Sequence, residues 1–426
     1  DRPANAKATV EVNRLKLVTA TRPFEIYQTI SDFGVDELIV QNAGSNSTND
    51  GAITYEEMTD MTRLSGILPE NNVLAAISLE SLEVRLGDQS DRFIIHSTNV
   101  DTTIETNGGT DHVTVETTSG LTVIDTGSGS DVLEVNSIDA STQVFLGAGA
   151  DLVTITNNGK IDGINADLTL HGEDDLDIIN VDNSASNSNG TLSLAARGVL
   201  TFDRLTGLNM GGQIIYDGAE AFNVDLGIGD DEFILESTHS GATHVSDSIG
   251  NDSYFIKTIA GSTTIDTDLG RDTFTIGSNS HDLLGIQGAL TLLGGEGNHD
   301  TIVVDSAGSA SDQNGELTDG SLAGFGMSDP LMFHDIEEFV ATFGDHADEL
   351  TVLSAISGKT TINTSGGMDV VKFETYNGLT TLNTGDHSDK IIVFDGEGDF
   401  AGAGSVLTID GGSEGDLYQV IAAQSV

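Results

Sequence analysis

Short runs in which every second residue is apolar recur along the chain, and successive pairs of runs bracket a turn that closes on aspartate. Three segments display the pattern: Thr102 to Thr118 (TTIETNGGTDHVTVETT), Leu121 to Ser137 (LTVIDTGSGSDVLEVNS) and Thr142 to Asn158 (TQVFLGAGADLVTITNN). Asp91, Asp111, Asp131 and Asp151 stand 20 residues apart. Asp231, Asp252 and Asp272 form a second series, and Asp348, Asp369 and Asp389 a third. Asp36, Asp177, Asp300 and Asp416 take the same place in divergent copies. Two residues after the aspartates come Phe93, Val113, Leu133, Val153, Phe233, Tyr254, Phe274, Leu350, Val371 and Ile391. Four after come Ile95, Val115, Val135, Ile155, Leu235, Ile256, Ile276, Val352, Phe373 and Val393. Seven before stand Val84, Ile104, Ile124, Val144, Val224, Val245, Ile265, Ile362 and Leu382. Period-two alternation places such residues on one face of a strand. One strand cannot bury that face alone, but copies stacked at a fixed period build a continuous core. The pattern predicts an all-β parallel β-solenoid with two short strands and two turns per coil of about 20 residues. Neighbouring coils are expected about 4.8 Å apart.

A longer period overlies the coils. Leu168 to Asp177 (LTLHGEDDLD), Leu290 to Asp300 (LTLLGGEGNHD) and Leu407 to Asp416 (LTIDGGSEGD) mark equivalent points. With Asp36 the first such point, polar stretches rich in small residues follow Asp36, Asp177 and Asp300: Asn42 to Gly51, Asn183 to Gly190 and Ser306 to Gly315. Each is expected to lead to an extra coil with a protruding loop. The division is 1–35 (the end of a preceding block), 36–176, 177–299, 300–415, and 416–426 as the opening of a further block. The array is expected to continue beyond both ends.

Composition narrows the chemistry. Hydrophobic residues make up 37 %, enough for a core, and 51 Gly against 4 Pro suits tight turns more than linkers. No run of 18 or more apolar residues occurs, so no apolar helix is expected to span a membrane. There is no Cys, which excludes disulfides and thiolate chemistry. Asp and Glu number 68 against 16 Lys and Arg, a formal net charge of −52. Nucleic acid and anionic membrane surfaces are therefore poor partners, and the charge must be solvated, screened or neutralised by cations.

The turns read TGSGSD at Thr126 to Asp131, LGAGAD at Leu146 to Asp151 and LGIGDD at Leu226 to Asp231. They resemble the RTX nonapeptide turn, G-G-x-G-x-D-x-U-x, and the layout is similar to that of acidic hemolysin-type calcium-binding surface proteins. That resemblance implies Ca²⁺ held by turn aspartates, here Asp91, Asp111, Asp131, Asp151, Asp177, Asp231, Asp252, Asp272, Asp300, Asp348, Asp369, Asp389 and Asp416. Calcium takes six to eight hard oxygens, and stacked turns can supply them from two coils. Here one turn per coil is glycine-rich and the other is polar and variable, so a single ion row on one edge is expected. Gln89, His346 and His387 interrupt the turn in three copies, where weak or lost sites are expected. The competing reading is that each Asp merely caps its turn. Bare carboxylates about 4.8 Å apart repel by about 1–3 kcal/mol per neighbour, which favours a cation row.

Other constellations are weaker. Glu173-Asp174-Asp175 reads as a solvated turn or minor cation site rather than catalytic carboxylates. The pairs Thr102-Thr103, Thr263-Thr264, Thr360-Thr361 and Thr380-Thr381 suggest a hydroxyl ladder. The resulting expectation is a secreted, non-enzymatic, calcium-stabilised structural or adhesive repeat protein of the cell surface or matrix. Self-association is its expected assembly, with a polysaccharide or cell surface as a further partner, and neither nucleic acid binding nor membrane insertion is expected. The alternatives are a β-helical polysaccharide-binding or -modifying enzyme and a calcium-dependent secretion module of a larger effector.

Overall fold

The computed structural model describes residues 13–19, 22–29, 37–42, 47–67, 73–77, 79–173, 175–186, 197–296, 299–395 and 404–422. Asp36 and Asp174 lie outside the described residues. The chain forms two compact units, Asp1–Asn183 with Arg204–Asn223, and Ser184–Asp203 with Val224–Val426. Each is a parallel β-solenoid.

In the first unit, the strands before the glycine turns pair in parallel along one sheet: Ser81–Arg85, Asp101–Glu105, Thr122–Asp125, Thr142–Phe145 and Leu168–His171. The strands after the turns form the facing sheet: Arg92–Ile95, His112–Val115, Val132–Val135, Leu152–Ile155 and Ile178–Asp182. Every rung is in register, so each inward residue stacks on its counterpart one coil on. Val84, Ile104, Ile124 and Val144 are fully buried, facing Val113, Leu133 and Val153. All of the expected inward residues two after and seven before the aspartates are buried, as are those four after except half-buried Val393. Burying a Val, Leu, Ile or Phe is worth about 1.5–3 kcal/mol each, so a handful per coil sustains the stack.

The second unit repeats the scheme and shows how one block meets the next. Strand Leu290–Leu293 leads through the Asp300 turn to Thr301–Asp305, which lies in the opposite sheet. The polar stretch then delivers Asn314–Leu317, which pairs in parallel with Glu349–Val352 ahead of it. The chain reverses twice, through antiparallel Ser321–Gly324, and Leu331–His334 fills the rung beside Leu290–Leu293. A tight turn from Thr318 to Ser321 closes the first reversal, and Leu317, Leu322, Phe325 and Phe333 bury the apolar side of this meander. A matching meander in the first unit joins Asp50–Glu56, Met61–Ser65 and Leu74–Ile77. The insert is therefore three antiparallel strands, where the sequence suggested an added coil with a loop.

Because the meander occupies one sheet three times in succession, the glycine turns emerge half a coil out of phase. In the second unit the Asp231, Asp252, Asp272 and Asp300 turns run from one sheet to the other, and the Asp348, Asp369, Asp389 and Asp416 turns run back. The two series lie on opposite edges, which corrects the expected single edge. The threonine pairs stack from coil to coil, as Thr360 on Thr380 and Thr361 on Thr381. Thr102, Thr263 and Thr380 face inward, and their hydroxyls donate to carbonyls of their own turns.

Ile124→Ala removes a fully buried side chain from one rung and is expected to cost about 2–5 kcal/mol. Val123→Ala, on the half-buried outer face of the same strand, is expected to cost about 1 kcal/mol or less. Denaturant midpoints of the two variants check the assignment of faces.

Candidate metal centre

The glycine turn needs backbone that other residues resist. Gly127 and Gly129 sit at φ 83° and 142°, and a Cβ on Gly129 would stand 1.4 Å from the carbonyl oxygen of Gly109 in the preceding coil. This close stacking turns each Asp side chain inward against the preceding turn. The backbone N–H of each aspartate then donates to Oδ1 of the aspartate one coil ahead. Asp91 donates to Asp111, Asp111 to Asp131 and Asp131 to Asp151, each at 2.7 Å, and Asp151 to Asp177 at 2.9 Å. In the second unit Asp231 donates to Asp252, Asp252 to Asp272 and Asp272 to Asp300 at 2.5–2.8 Å. On the opposite edge Asp348 donates to Asp369, Asp369 to Asp389 and Asp389 to Asp416 at 2.8–3.1 Å. All thirteen aspartates singled out in the sequence thus fall into three relays. The copies carrying Gln89, His346 and His387 keep the same links.

Each relay has distinct ends. The first begins with Asn49, whose backbone N–H and Nδ2 both donate to Asp91 Oδ1 at 2.6 and 2.9 Å. The third begins with the N–H of Gln313, which donates to Asp348 Oδ1 at 2.8 Å. The first ends on Glu220, which accepts from the N–H of Asp177 at 2.7 Å, and the second on Glu337, which accepts from Asp300 at 2.9 Å. Sequence reasoning missed both glutamates. A signal existed: Glu80, Glu220 and Glu337 each stand eleven residues, half a coil, before the first aspartate of a relay (Asp91, Asp231 and Asp348).

Twelve of the aspartates are no more than 3 % exposed, and Asp416 is half-buried. Oδ1 is satisfied by the relay. Oδ2 of Asp91, Asp111, Asp131, Asp151, Asp177, Asp300, Asp348, Asp369 and Asp389 is buried with no donor in hydrogen-bonding geometry. The hydroxyls of Thr106, Thr126, Thr364 and Thr384 stand near enough to the carboxyls of Asp111, Asp131, Asp369 and Asp389 to offset part of the burial. An unpartnered buried carboxylate oxygen is costly, and more so beside like charges. Burial, followed for Asp131 by the charges of Asp111 and Asp151, pushes its pKa up from 3.8 to about 7. Asp177 is raised to about 7, and Asp111, Asp300, Asp348 and Asp369 to about 6, chiefly by burial. Nine buried anionic oxygens in rows form a donor set suited to a hard, oxygen-seeking cation.

The densest point lies on the second relay. Asp247, Asp252 and Asp272 each place a carboxylate oxygen within 4.8 Å of the others, the one such group of three among the described residues. Asp252 and Asp272 were expected from the turns, but Asp247 was not. It occupies the position five before the turn aspartate, where Thr106, Thr126, Thr267 and Thr364 donate hydroxyls to a carbonyl of the following coil. The Tyr254 hydroxyl donates to Asp247 Oδ2 at 2.5 Å, and the N–H of Asp268 to its Oδ1 at 3.0 Å. Burial, then the charges of neighbouring aspartates, pushes both Asp252 and Asp247 above the usual carboxylate range. Such a cluster holds either a proton or a cation.

No family model matches the chain, and no curated protein matches it in sequence. Among the described residues no helix is long and apolar enough to cross a membrane.

The raised pKa values fix a sign. The folded chain holds these protons more tightly than the unfolded chain, where the carboxyls titrate near 4. Their contribution to stability is therefore complete below about pH 4 and lost as pH climbs through 6 and 7. In excess chelator the melting temperature is expected to fall between pH 5.5 and pH 8. Calorimetry in that range checks it, and a melting temperature that rises with pH would refute the burial of charged Oδ2 atoms.

Proposed function

We propose that the chain is a calcium-stabilised, extracellular structural or adhesive solenoid whose aspartate rows bind cations between coils. The observation that carries this reading is the set of nine buried Oδ2 atoms without donors, aligned in rows at the coil spacing. The residues fit the ion in chemistry: hard oxygens, multiple negative charges, and turns that place successive carboxylates side by side. Asp91 to Asp177 would hold ions in the first unit, and the relays from Asp231 and from Asp348 in the second. A bound cation supplies the positive charge that lets neighbouring carboxylates stay ionised in a buried row.

The chain's own residues do the rest. The relay N–H groups fix Oδ1, so each Oδ2 keeps one orientation, and the glycines admit the neighbouring coil. At extracellular-type affinities of about 10⁻⁴–10⁻³ M, millimolar calcium would add about 0.4–1.4 kcal/mol per occupied site. An export route suits this arrangement. With a net charge of −52 the cation-free chain repels itself, and folding would follow arrival where calcium is millimolar. The repetition and the acidic surface support a scaffold rather than an enzyme, with self-association or a polysaccharide surface as its partner.

Circular dichroism during calcium titration, then chelation, tests the reading, with the β-signal expected to sharpen or stabilise steeply with calcium. Asp131→Asn should melt higher than the parent in chelator at pH 7.5, because it removes a buried charge, and lower than the parent in millimolar calcium. A parent whose melting is the same in chelator and in calcium would reduce the aspartates to turn caps.

A further inference from the structure

The ends of the first two aspartate rows are built differently from their middles, and both in the same way. After Asp177 the next turn on that edge lacks the glycine-aspartate pattern and consists of Gly218, Ala219 and Glu220 between strands Gln213–Asp217 and Ala221–Asp225. After Asp300 it is Asp335, Ile336 and Glu337 between Leu331–His334 and Glu338–Thr342. In both, the backbone N–H groups of the glutamate and of the residue after it donate together to the carbonyl of the last aspartate. The distances are 3.0 and 3.1 Å at Asp177, and 3.1 and 2.9 Å at Asp300. In both, the glutamate carboxylate accepts the aspartate N–H, and Glu337 also accepts from His299 at 3.1 Å. These turns are shorter than the glycine turns, and the extra methylene of glutamate carries its carboxylate to the place an aspartate would fill.

This hydrogen bond accounts for only part of the arrangement. Asp177 and Asp300 are 0 % exposed, and their Oδ2 atoms have no donor. The point where a Cβ on Gly172 would stand is 2.8 Å from Asp177 Oδ2 and 2.5 Å from the carbonyl oxygen of Gly218. The same point on Gly294 is 3.1 Å from Asp300 Oδ2 and 2.2 Å from the carbonyl oxygen of Asp335. Oxygens of two successive turns therefore converge against a glycine, whose missing Cβ is what admits the close approach of the next turn's backbone. The charges that bear on Asp177 are Asp151, Glu220 and Asp175, and those on Asp300 are Asp272, Glu337 and His299.

We propose that Asp177 with Glu220, and Asp300 with Glu337, form closing sites that each take one divalent, oxygen-seeking cation at the end of a row. The proposal rests on the cation reading of the rows and adds two ligands that the turn motif does not contain. The glutamate closes the row because its carboxylate both ends the relay and supplies the anionic oxygen that no further aspartate provides. In the second unit, the row from Asp348 begins half a coil after Glu337, on the other edge.

The test counts ions. Calcium bound per chain is measured by equilibrium dialysis and atomic absorption for the parent and for the double variant Glu220→Gln/Glu337→Gln. Glutamine keeps a side-chain carbonyl to accept the relay N–H, so a purely structural role is preserved and circular dichroism should be unchanged. The expected result is two ions fewer per chain, with the remaining sites intact. An unchanged count in the variant overturns the closing sites and leaves the row reading standing, whereas a parent that binds no calcium overturns both. Should the variant fail to fold, lanthanide soaks of crystals of the parent decide. Anomalous peaks flanked by the Asp177 and Glu220 carboxylates, and by those of Asp300 and Glu337, support the sites, and their absence at occupied rows overturns them.

Discussion

A single hydrogen bond, repeated once per coil, organises this protein: the N–H of a turn aspartate donates to the carboxylate of the aspartate one coil ahead. It places a charged side chain in the core of a narrow solenoid, where hydrophobic burial alone would never put one. The aliphatic stack of Ile104, Ile124 and Val144 holds the coils together, but it is indifferent to which edge carries which turn. The aspartates make that distinction. Their Oδ1 atoms accept within the relay, and their Oδ2 atoms are left buried once per coil without a donor in hydrogen-bonding geometry. The same contact that aligns the coils creates the electrostatic problem that a cation or a proton must solve.

Much of the coil was legible in the sequence. The period-two register around Asp111, Asp131 and Asp151 determines which residues face inward, because a one-residue slip would invert every one of them. The thirteen aspartates were equally visible, since each stands at a fixed offset from that register. What escaped notice has a common physical origin. Glu220 and Glu337 do the work of a turn aspartate without its glycines, so a search keyed on turn shape passes over them. Asp247 sits where other coils place threonine, and its meaning emerges only when Asp272, one coil on, joins it and Asp252. The meanders are hidden because a polar stretch such as Ser306 to Gly315 says where pairing stops and not where it resumes. Antiparallel reversal there depends on Leu317, Leu322 and Phe325 finding the core from the opposite direction.

The half-coil offset follows from the same accounting of backbone partners. A parallel strand needs a neighbour on both sides. Asn314–Leu317 finds one ahead, in Glu349–Val352, and Leu331–His334 finds one behind, in Leu290–Leu293. Antiparallel Ser321–Gly324 is the piece that satisfies the two remaining edges. Carboxylates that would otherwise crowd one edge of the second unit are thereby shared between two.

The relay also bears on how the chain finds its register. Coils of equal length with like residues at like positions can slip past one another by a whole coil and still bury every aliphatic side chain, so hydrophobicity offers no defence against that error. A directional relay with unlike ends does. A misaligned first unit would leave Asn49 donating to nothing or the N–H of Asp177 without its glutamate, and each orphan is buried. The longer intervals reinforce this, since the steps from Asp151 to Asp177 and from Asp272 to Asp300, 26 and 28 residues, cannot exchange with steps of 20. Asn49, Gln313, Glu220 and Glu337 thus act as punctuation, marking where a run of interchangeable words begins and ends so that it can be read in only one frame.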